Sequence, residues 1–226
     1  MIRTSVLTLL VAALAAGNLG NAAAAGKQIE RLDRGAVAIK SGNGVFVSWR
    51  QLATDAADTT FNVYRDGQKL NGAPLNALNY SDGNGSPTDH YAVRAVVGGV
   101  EQADASAGAT WATPYKSIPV QTPAGGTTPD GVAYTYEIND GAPADLDGDG
   151  TYELVVKWQP TNAKDNSQSG YTGNTYLDAY KLDGTRLWRI NLGKNIRAGA
   201  HYTTFLAYDF DGDGLAEVMA KTADGT

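Results

Sequence analysis

Asp145-Leu146-Asp147-Gly148-Asp149-Gly150-Thr151-Tyr152-Glu153-Leu154-Val155-Val156-Lys157 returns 64 residues later as Asp209-Phe210-Asp211-Gly212-Asp213-Gly214-Leu215-Ala216-Glu217-Val218-Met219-Ala220-Lys221. Seven of these thirteen positions are identical. Each copy is a carboxylate-rich loop running into an apolar stretch, and a unit recurring at a fixed interval marks a repeat architecture. Between the copies lie Tyr176-Leu177-Asp178-Ala179-Tyr180, the turn Leu182-Asp183-Gly184-Thr185 and then Arg186-Leu187-Trp188-Arg189-Ile190, which read as a hairpin. Loop, strand and hairpin together make one blade of a β-propeller.

The loop spacing has a chemical meaning. Carboxylates at positions 1, 3 and 5 of a tight loop point inward, glycine at position 6 permits the sharp turn, and position 7 offers a backbone carbonyl. Asp145, Asp147, Asp149 and Glu153 with the Thr151 carbonyl are one expected cage, and Asp209, Asp211, Asp213 and Glu217 with the Leu215 carbonyl are the other. All donors are oxygens, which suits Ca²⁺. Neither loop is an EF-hand, because position 12 holds Val156 or Ala220 and the glutamate sits at position 9. Three aspartates at alternate positions repel one another unless a cation lies among them.

Toward the N-terminus the pattern changes near residue 115. Ala36–Ile39, Val45–Trp49, Phe61–Arg65 and Tyr91–Val96 read as short strands, with turns at Asp66-Gly67 and Gly98-Gly99. Val47-Ser48-Trp49, Phe61–Gly67 and Tyr91–Val96 resemble a fibronectin type III module, a small β-sandwich over 26–115 with Trp49 and Tyr64 in its core. Residues 116–130, with Pro119, Pro123 and Pro129, read as a linker, and 131–226 as a partial calcium-binding propeller.

Residues 1–25 read as an export signal: Arg3, an uncharged run from Val6 to Ala16, and small residues at Ala22–Ala25. The run is shorter than the roughly 20 apolar residues of a membrane span. The expectation is a secreted or periplasmic monomer with no membrane contact after cleavage. The 226 residues contain no cysteine, which excludes a disulfide scaffold and thiolate-bound metals. A net charge of −6 speaks against nucleic acid as partner. It allows an acidic substrate if a cation bridges the two.

Leu32-Asp33-Arg34-Gly35, Lys164–Gly173 and Gly193–Tyr202 closely resemble the bacterial rhamnogalacturonan lyases of polysaccharide lyase family 11. The resemblance implies an all-β chain, with a fibronectin-type sandwich followed by an eight-bladed, calcium-laden propeller. It implies cleavage of the rhamnogalacturonan I backbone of pectin by β-elimination at galacturonate. In such a step the C5 proton, α to the carboxylate, is removed and the O4 substituent leaves; a divalent cation stabilises the enolate-like transition state. The resemblance places Asn139 on substrate, and an asparagine holding a turn is the competing reading. Gln159 stands where relatives can carry aspartate; its amide can still hydrogen-bond sugar hydroxyls. Asp140 is a candidate extra calcium ligand.

His201, Arg197 and Lys221 are the candidate catalytic side chains, although a lone histidine is more often structural and the base is not assigned. The polar stretch Pro160–Asn174 is a candidate cleft wall, with Asp165 and Asn166 as further polar groups. Residues 131–226 suffice for about two blades. The chain is therefore expected to be an incomplete, truncated piece of such an enzyme, inactive alone. Two other readings share the same loops: a calcium-dependent binding or adhesion propeller without chemistry, and a purely structural repeat protein.

Overall fold

The computed structural model describes residues 33–199 and 201–224, and the export-signal reading lies outside them. Every regular element described is a β-strand. Among the described residues no helix is long and apolar enough to cross a membrane.

The N-terminal strands are β1 (Val37–Ser41), β2 (Gly44–Ser48), β3 (Thr60–Arg65), β4 (Gln68–Lys69), β5 (Asn79–Asp82), β6 (His90–Val97) and β7 (Val100–Trp111). The β3–β4 turn is Asp66-Gly67, with φ of 48° and 82°. Two consecutive positive φ values suit the right-handed twist of a tight hairpin. All seven strands form one sheet in the order β4-β3-β6-β7-β1-β2-β5.

The long strand β7 unites this sheet. Most of its length pairs antiparallel with β6, and Thr110 and Trp111 then pair parallel with Ala38 and Ile39 of β1. The sheet curls around this strand, so Val45 and Val47 of one half pack with Phe61, Val63 and Val93 of the other. Trp49 meets Phe61 edge-on, with centroids 5.6 Å apart. Tyr64, expected in the core, is half-buried: its hydroxyl donates to Glu101 at 2.6 Å and Arg94 lies over its ring. On a strand with one solvated face, the side chain next to a buried Val63 points outward.

After a two-stranded ladder, β8 (Gly126–Thr127) with β9 (Ala133–Tyr134), comes an antiparallel meander. It comprises β10 (Tyr136–Ala144), β11 (Glu153–Pro160), β12 (Tyr176–Tyr180) and β13 (Arg186–Asn191), adjacent in chain order. A second hairpin, β14 (Phe205–Tyr208) and β15 (Glu217–Ala220), follows. β11 is covered on both faces. Val155 joins Leu177, Leu192, Ile196 and Phe205 on one side, while Val156 and Trp158 join Tyr136 and Tyr180 on the other. Burial on both faces accounts for its continuous apolar run in place of alternation.

The meander also buries a charge. Asp178 of β12 is fully buried and receives Arg189 Nε at 2.7 Å, Arg189 Nη2 at 2.6 Å, Tyr180 Oη at 2.6 Å and Trp158 Nε1 at 2.8 Å. Burial pushes its carboxyl up, but these four donors outweigh it and hold the group below the ordinary carboxylate range. A paired and hydrogen-bonded carboxylate is the form in which a sheet interior tolerates a charge.

Candidate functional site

The two acidic loops fold alike. Asp145 Oδ1 accepts from Gly148 N at 2.8 Å and Oδ2 from Gly150 N at 3.0 Å; Asp209 does the same with Gly212 at 2.6 Å and Gly214 at 3.2 Å. Gly148, Gly150, Gly212 and Gly214 all have φ between 74° and 97°, where a side chain is strained. Glu153 accepts from Leu146 N at 2.9 Å, and Glu217 from Phe210 N at 2.8 Å. In each loop the first aspartate and the glutamate thus spend some lone pairs on backbone and keep others turned to a common centre.

Oxygens of Asp145, Asp147 and Glu153 lie within 4.8 Å of one another, as do those of Asp209, Asp211 and Glu217. Burial raises the Glu153 carboxyl, the Leu146 bond lowers it, and the charges on Asp147 and Asp149 raise it again; the net direction is up. Such crowding of anions fits a hard cation with oxygen ligands. Asp149 and Asp213 stand outside these groups. Asp149 accepts from Thr151 N at 2.8 Å and Asp213 from Leu215 N at 2.9 Å. Lys181 Nζ lies 2.6 Å from Asp147 and 3.5 Å from Asp149, so a fixed cation already sits at the rim of the first loop.

The opposite end of β11 carries different chemistry. The β10–β11 register shifts between Ile138 and Asp140, so Asn139 is the extra residue of a β-bulge, and it is exposed. Bulges re-aim a side chain and are frequent beside functional sites. Asp140, opposite Lys157, accepts from Gly141 N at 2.9 Å. It lies four residues along β10 from Ala144, the partner of Glu153, and so about 13 Å from the acidic loop. It is not part of either acidic cage. Gln159 is partly buried, and its Oε1 has no hydrogen-bond partner among the described residues.

Lys157 and Lys221 hold equivalent places in the repeat, which suggests a shared structural role, yet Lys221 is exposed and Lys157 is buried. Lys157 is 1% exposed, and its Nζ donates to the Thr203 carbonyl at 2.8 Å. Burial lowers its pKa, opposed by the Asp140 charge. Its bond anchors a segment in which two of the three stretches that carry the family resemblance, Lys164–Gly173 and Gly193–Tyr202, are sewn together. Lys164 N donates to Ala198 O at 3.1 Å, Ala198 N to Thr172 Oγ1 at 3.0 Å, and Tyr202 Oη to Lys164 O at 2.8 Å.

Arg197 donates through Nη2 to the Gln168 carbonyl, so its guanidinium braces this junction. His201 is exposed and near enough to Asp165 to lower that carboxyl, after the larger effect of the Ser167 hydrogen bonds. Lys221 is exposed just beyond β15. The catalytic candidates are therefore spread over two elements. The Pro160–Asn174 stretch is strand-free as expected from Thr161 to Asn174, and Thr161 N donates to the Thr135 carbonyl at 2.9 Å.

An all-β chain with two acidic loops and a bulged, polar strand end defines a class that comparison with known proteins makes specific. Residues 115–226 match the C-terminal domain of rhamnogalacturonan lyase family 11, and residues 27–111 match the β-sheet domain of rhamnogalacturonan I lyases. The chain belongs to rhamnogalacturonan lyase family 11. It is 63% identical over 202 residues to rhamnogalacturonan endolyase YesW of Bacillus subtilis (strain 168), covering 89% of this chain and 33% of the relative. It is 52% identical to rhamnogalacturonan exolyase YesX of the same organism, covering 88% of this chain and 33% of that relative. The crystal structure of rhamnogalacturonan lyase YesW superposes with a TM-score of 0.84 over 89% of this chain and 34% of that one. Bacillus licheniformis rhamnogalacturonan lyase PL11, 60% identical, gives a TM-score of 0.84 over 88% of this chain and 34% of that one. The chain spans about one third of the length of the curated relatives it matches.

Proposed function

We propose that this chain is part of a polysaccharide lyase that cleaves the rhamnogalacturonan I backbone of pectin by β-elimination at galacturonate. The observation that carries the reading is Asn139 on its bulge, beside the unpartnered Gln159 amide oxygen and the braced 160–174 and 193–203 segments. The names of the relatives supply the substrate class. The curled N-terminal sheet is read as the fibronectin-like sandwich, the β10–β13 meander as the first blade of a propeller, and β14–β15 as part of the second.

In this reading Asn139 and Gln159 bind sugar hydroxyls or the uronate. Lys157 holds the His201 segment against the bulge. Asp145, Asp147 and Glu153, and Asp209, Asp211 and Glu217, would each hold one Ca²⁺, with Asp149 and Asp213 completing the cages. A bound Ca²⁺ supplies charge neutralisation. Glu153 and Trp158 are five residues apart on an extended strand, about 16 Å. An ion in the first loop is therefore too far from Asn139 to touch the same sugar, and it serves the fold. The chain is also read as exported and monomeric.

Product analysis tests the proposal. The enzyme that contains this chain should release unsaturated uronate from rhamnogalacturonan I and none from homogalacturonan. Binding without an unsaturated product would point to the non-catalytic carbohydrate-binding reading.

A further inference from the structure

A cavity of about 560 Å³ lies where the N-terminal sheet meets the first acidic loop, apart from the bulge and its neighbours. That is the size of a small-ligand site. Its lining includes Trp49, Arg50, Trp111, Lys116 and Tyr152. The Arg50 guanidinium lies over the Tyr152 ring, 5.4 Å from its centroid, and the Lys116 ammonium over Trp111 at 5.9 Å. Arg50 donates to the Asp33 carbonyl at 3.2 and 2.9 Å.

Among the described residues, neither Arg50 nor Lys116 has a carboxylate within ion-pair distance. Arg34, on the same wall, is neutralised by Asp55 through two bonds of 2.7 Å. Asp33 brings one carboxylate, which holds Gly35 N at 2.6 Å. The cavity thus gathers two cations against the one carboxylate of Asp33, in a chain of net charge −6. Trp49 is 6% exposed, and its Nε1–H has no acceptor among the described residues. An unmet buried donor is a cost that a ligand oxygen can relieve.

We propose that this seam is a second carbohydrate subsite, which takes a uronate with its carboxylate between Arg50 and Lys116 and its ring against Trp111 or Tyr152. The choice of an acidic sugar rests on the function proposed above; the cations and aromatic rings are independent of it. Tyr152 adjoins one end of β11 and Trp158 lies near the other, six residues or about 20 Å away. A polymer long enough to reach both ends gains from effective concentration, and a short oligosaccharide does not.

Calorimetric titration of the full chain with trigalacturonate, at fixed free calcium and with maltotriose as neutral control, tests the subsite. Trigalacturonate should bind and maltotriose should not. Lys116→Ala should weaken binding by about fivefold, the most expected of an exposed ion pair, and Lys116→Arg should restore it. Lys116 is exposed, so an unchanged melting curve accompanies either result. Lys69→Ala, which removes an exposed cation on the edge strand β4 away from the seam, should leave trigalacturonate affinity as it was. Equal binding of maltotriose, unchanged affinity in Lys116→Ala, or an equal loss of affinity in Lys69→Ala would each overturn the subsite. Absence of unsaturated product from rhamnogalacturonan I would remove the lyase reading, yet Lys116-dependent trigalacturonate binding would still support the seam.

Discussion

The backbone N–H of Ala216 donates to the carbonyl oxygen of Asp145 at 2.8 Å. The first ligand position of one acidic loop is thereby bonded to the end of the other. Leu215 adds a second contact, since a Cβ built on Gly148 would lie 2.5 Å from its Cδ2. The two loops are one mechanical unit, and what orders one bears on the other.

Chelation should lower the melting temperature. Eight of the 24 acidic residues lie in these loops and repel one another without cations. A ligand that binds only the folded state adds on the order of 3 kcal/mol per site at a hundredfold excess over Kd. Scanning calorimetry with and without EDTA measures this, and Asp147→Ala should reproduce part of the loss. An identical transition in excess chelator would rule out the calcium assignment.

Gly148→Ala should cost more than Gly42→Ala. Both glycines have positive φ, 74° and 59°, so either alanine is strained by about 1 kcal/mol. Only at Gly148 does the new methyl group also displace Leu215 and disturb the second loop; at Gly42 it meets open space. Equal denaturation midpoints for the two variants would contradict the loop coupling.

Asp178→Ala should be among the most damaging single changes. It leaves Arg189, Tyr180 and Trp158 with unmet donors, and breaking such a buried pair costs about 3–5 kcal/mol. The depressed Asp178 carboxyl contributes stability that is present above the ordinary carboxylate pKa and lost as pH falls through its lowered value. Urea titration of wild type and variant would expose a smaller difference if Arg189 finds another partner.

Asn139→Ala should remove most of kcat/KM on rhamnogalacturonan I while the melting temperature barely moves, since the residue is exposed on a bulge. The reverse outcome, lost stability with intact kinetics, would return Asn139 to the role of a turn residue.

Glu101 gives the N-terminal sheet an acid limit. Hydrogen bonds from Tyr64 Oη and Asn62 Nδ2, at 2.6 and 2.5 Å, and from Arg94 outweigh burial and bring its pKa down to about 2. Its stabilisation is complete above the unfolded value near 4.5 and disappears as pH falls toward 2. Glu101→Gln should flatten the stability profile between those values. A parallel profile would show that other carboxylates set the limit.

The strands that sequence reading found are those whose side chains fit a pleated, half-buried surface: Phe61–Arg65, Tyr91–Val96 and Tyr176–Tyr180 lie within or coincide with observed strands. β7 escaped notice because Ala103, Ala105, Gly108 and Ala109 give no alternation of size. β10 escaped because Asn139, Asp140, Gly141 and Pro143 favour turns, and pairing with the apolar β11 overrides them. The acidic loops were legible because cation binding dictates spacing along the chain. Lys157 and Asp178 were not, because their significance lies in partners 46 and up to 20 residues away. No local pattern records those partners.

β7 also sets an order of assembly. The Ala38–Thr110 pairing joins residues 72 positions apart, whereas β3 and β4 meet across a two-residue turn. Closing a loop of that length costs on the order of 4 kcal/mol in chain entropy, plus a constant. Only two residue pairs hold the closure directly. The hairpins can therefore form early and locally, and the curl of the sheet is a late, clasp-like event. Unfolding of this half should start by releasing the clasp, with protection of the Trp111 amide lost ahead of the Val63 and Val93 amides.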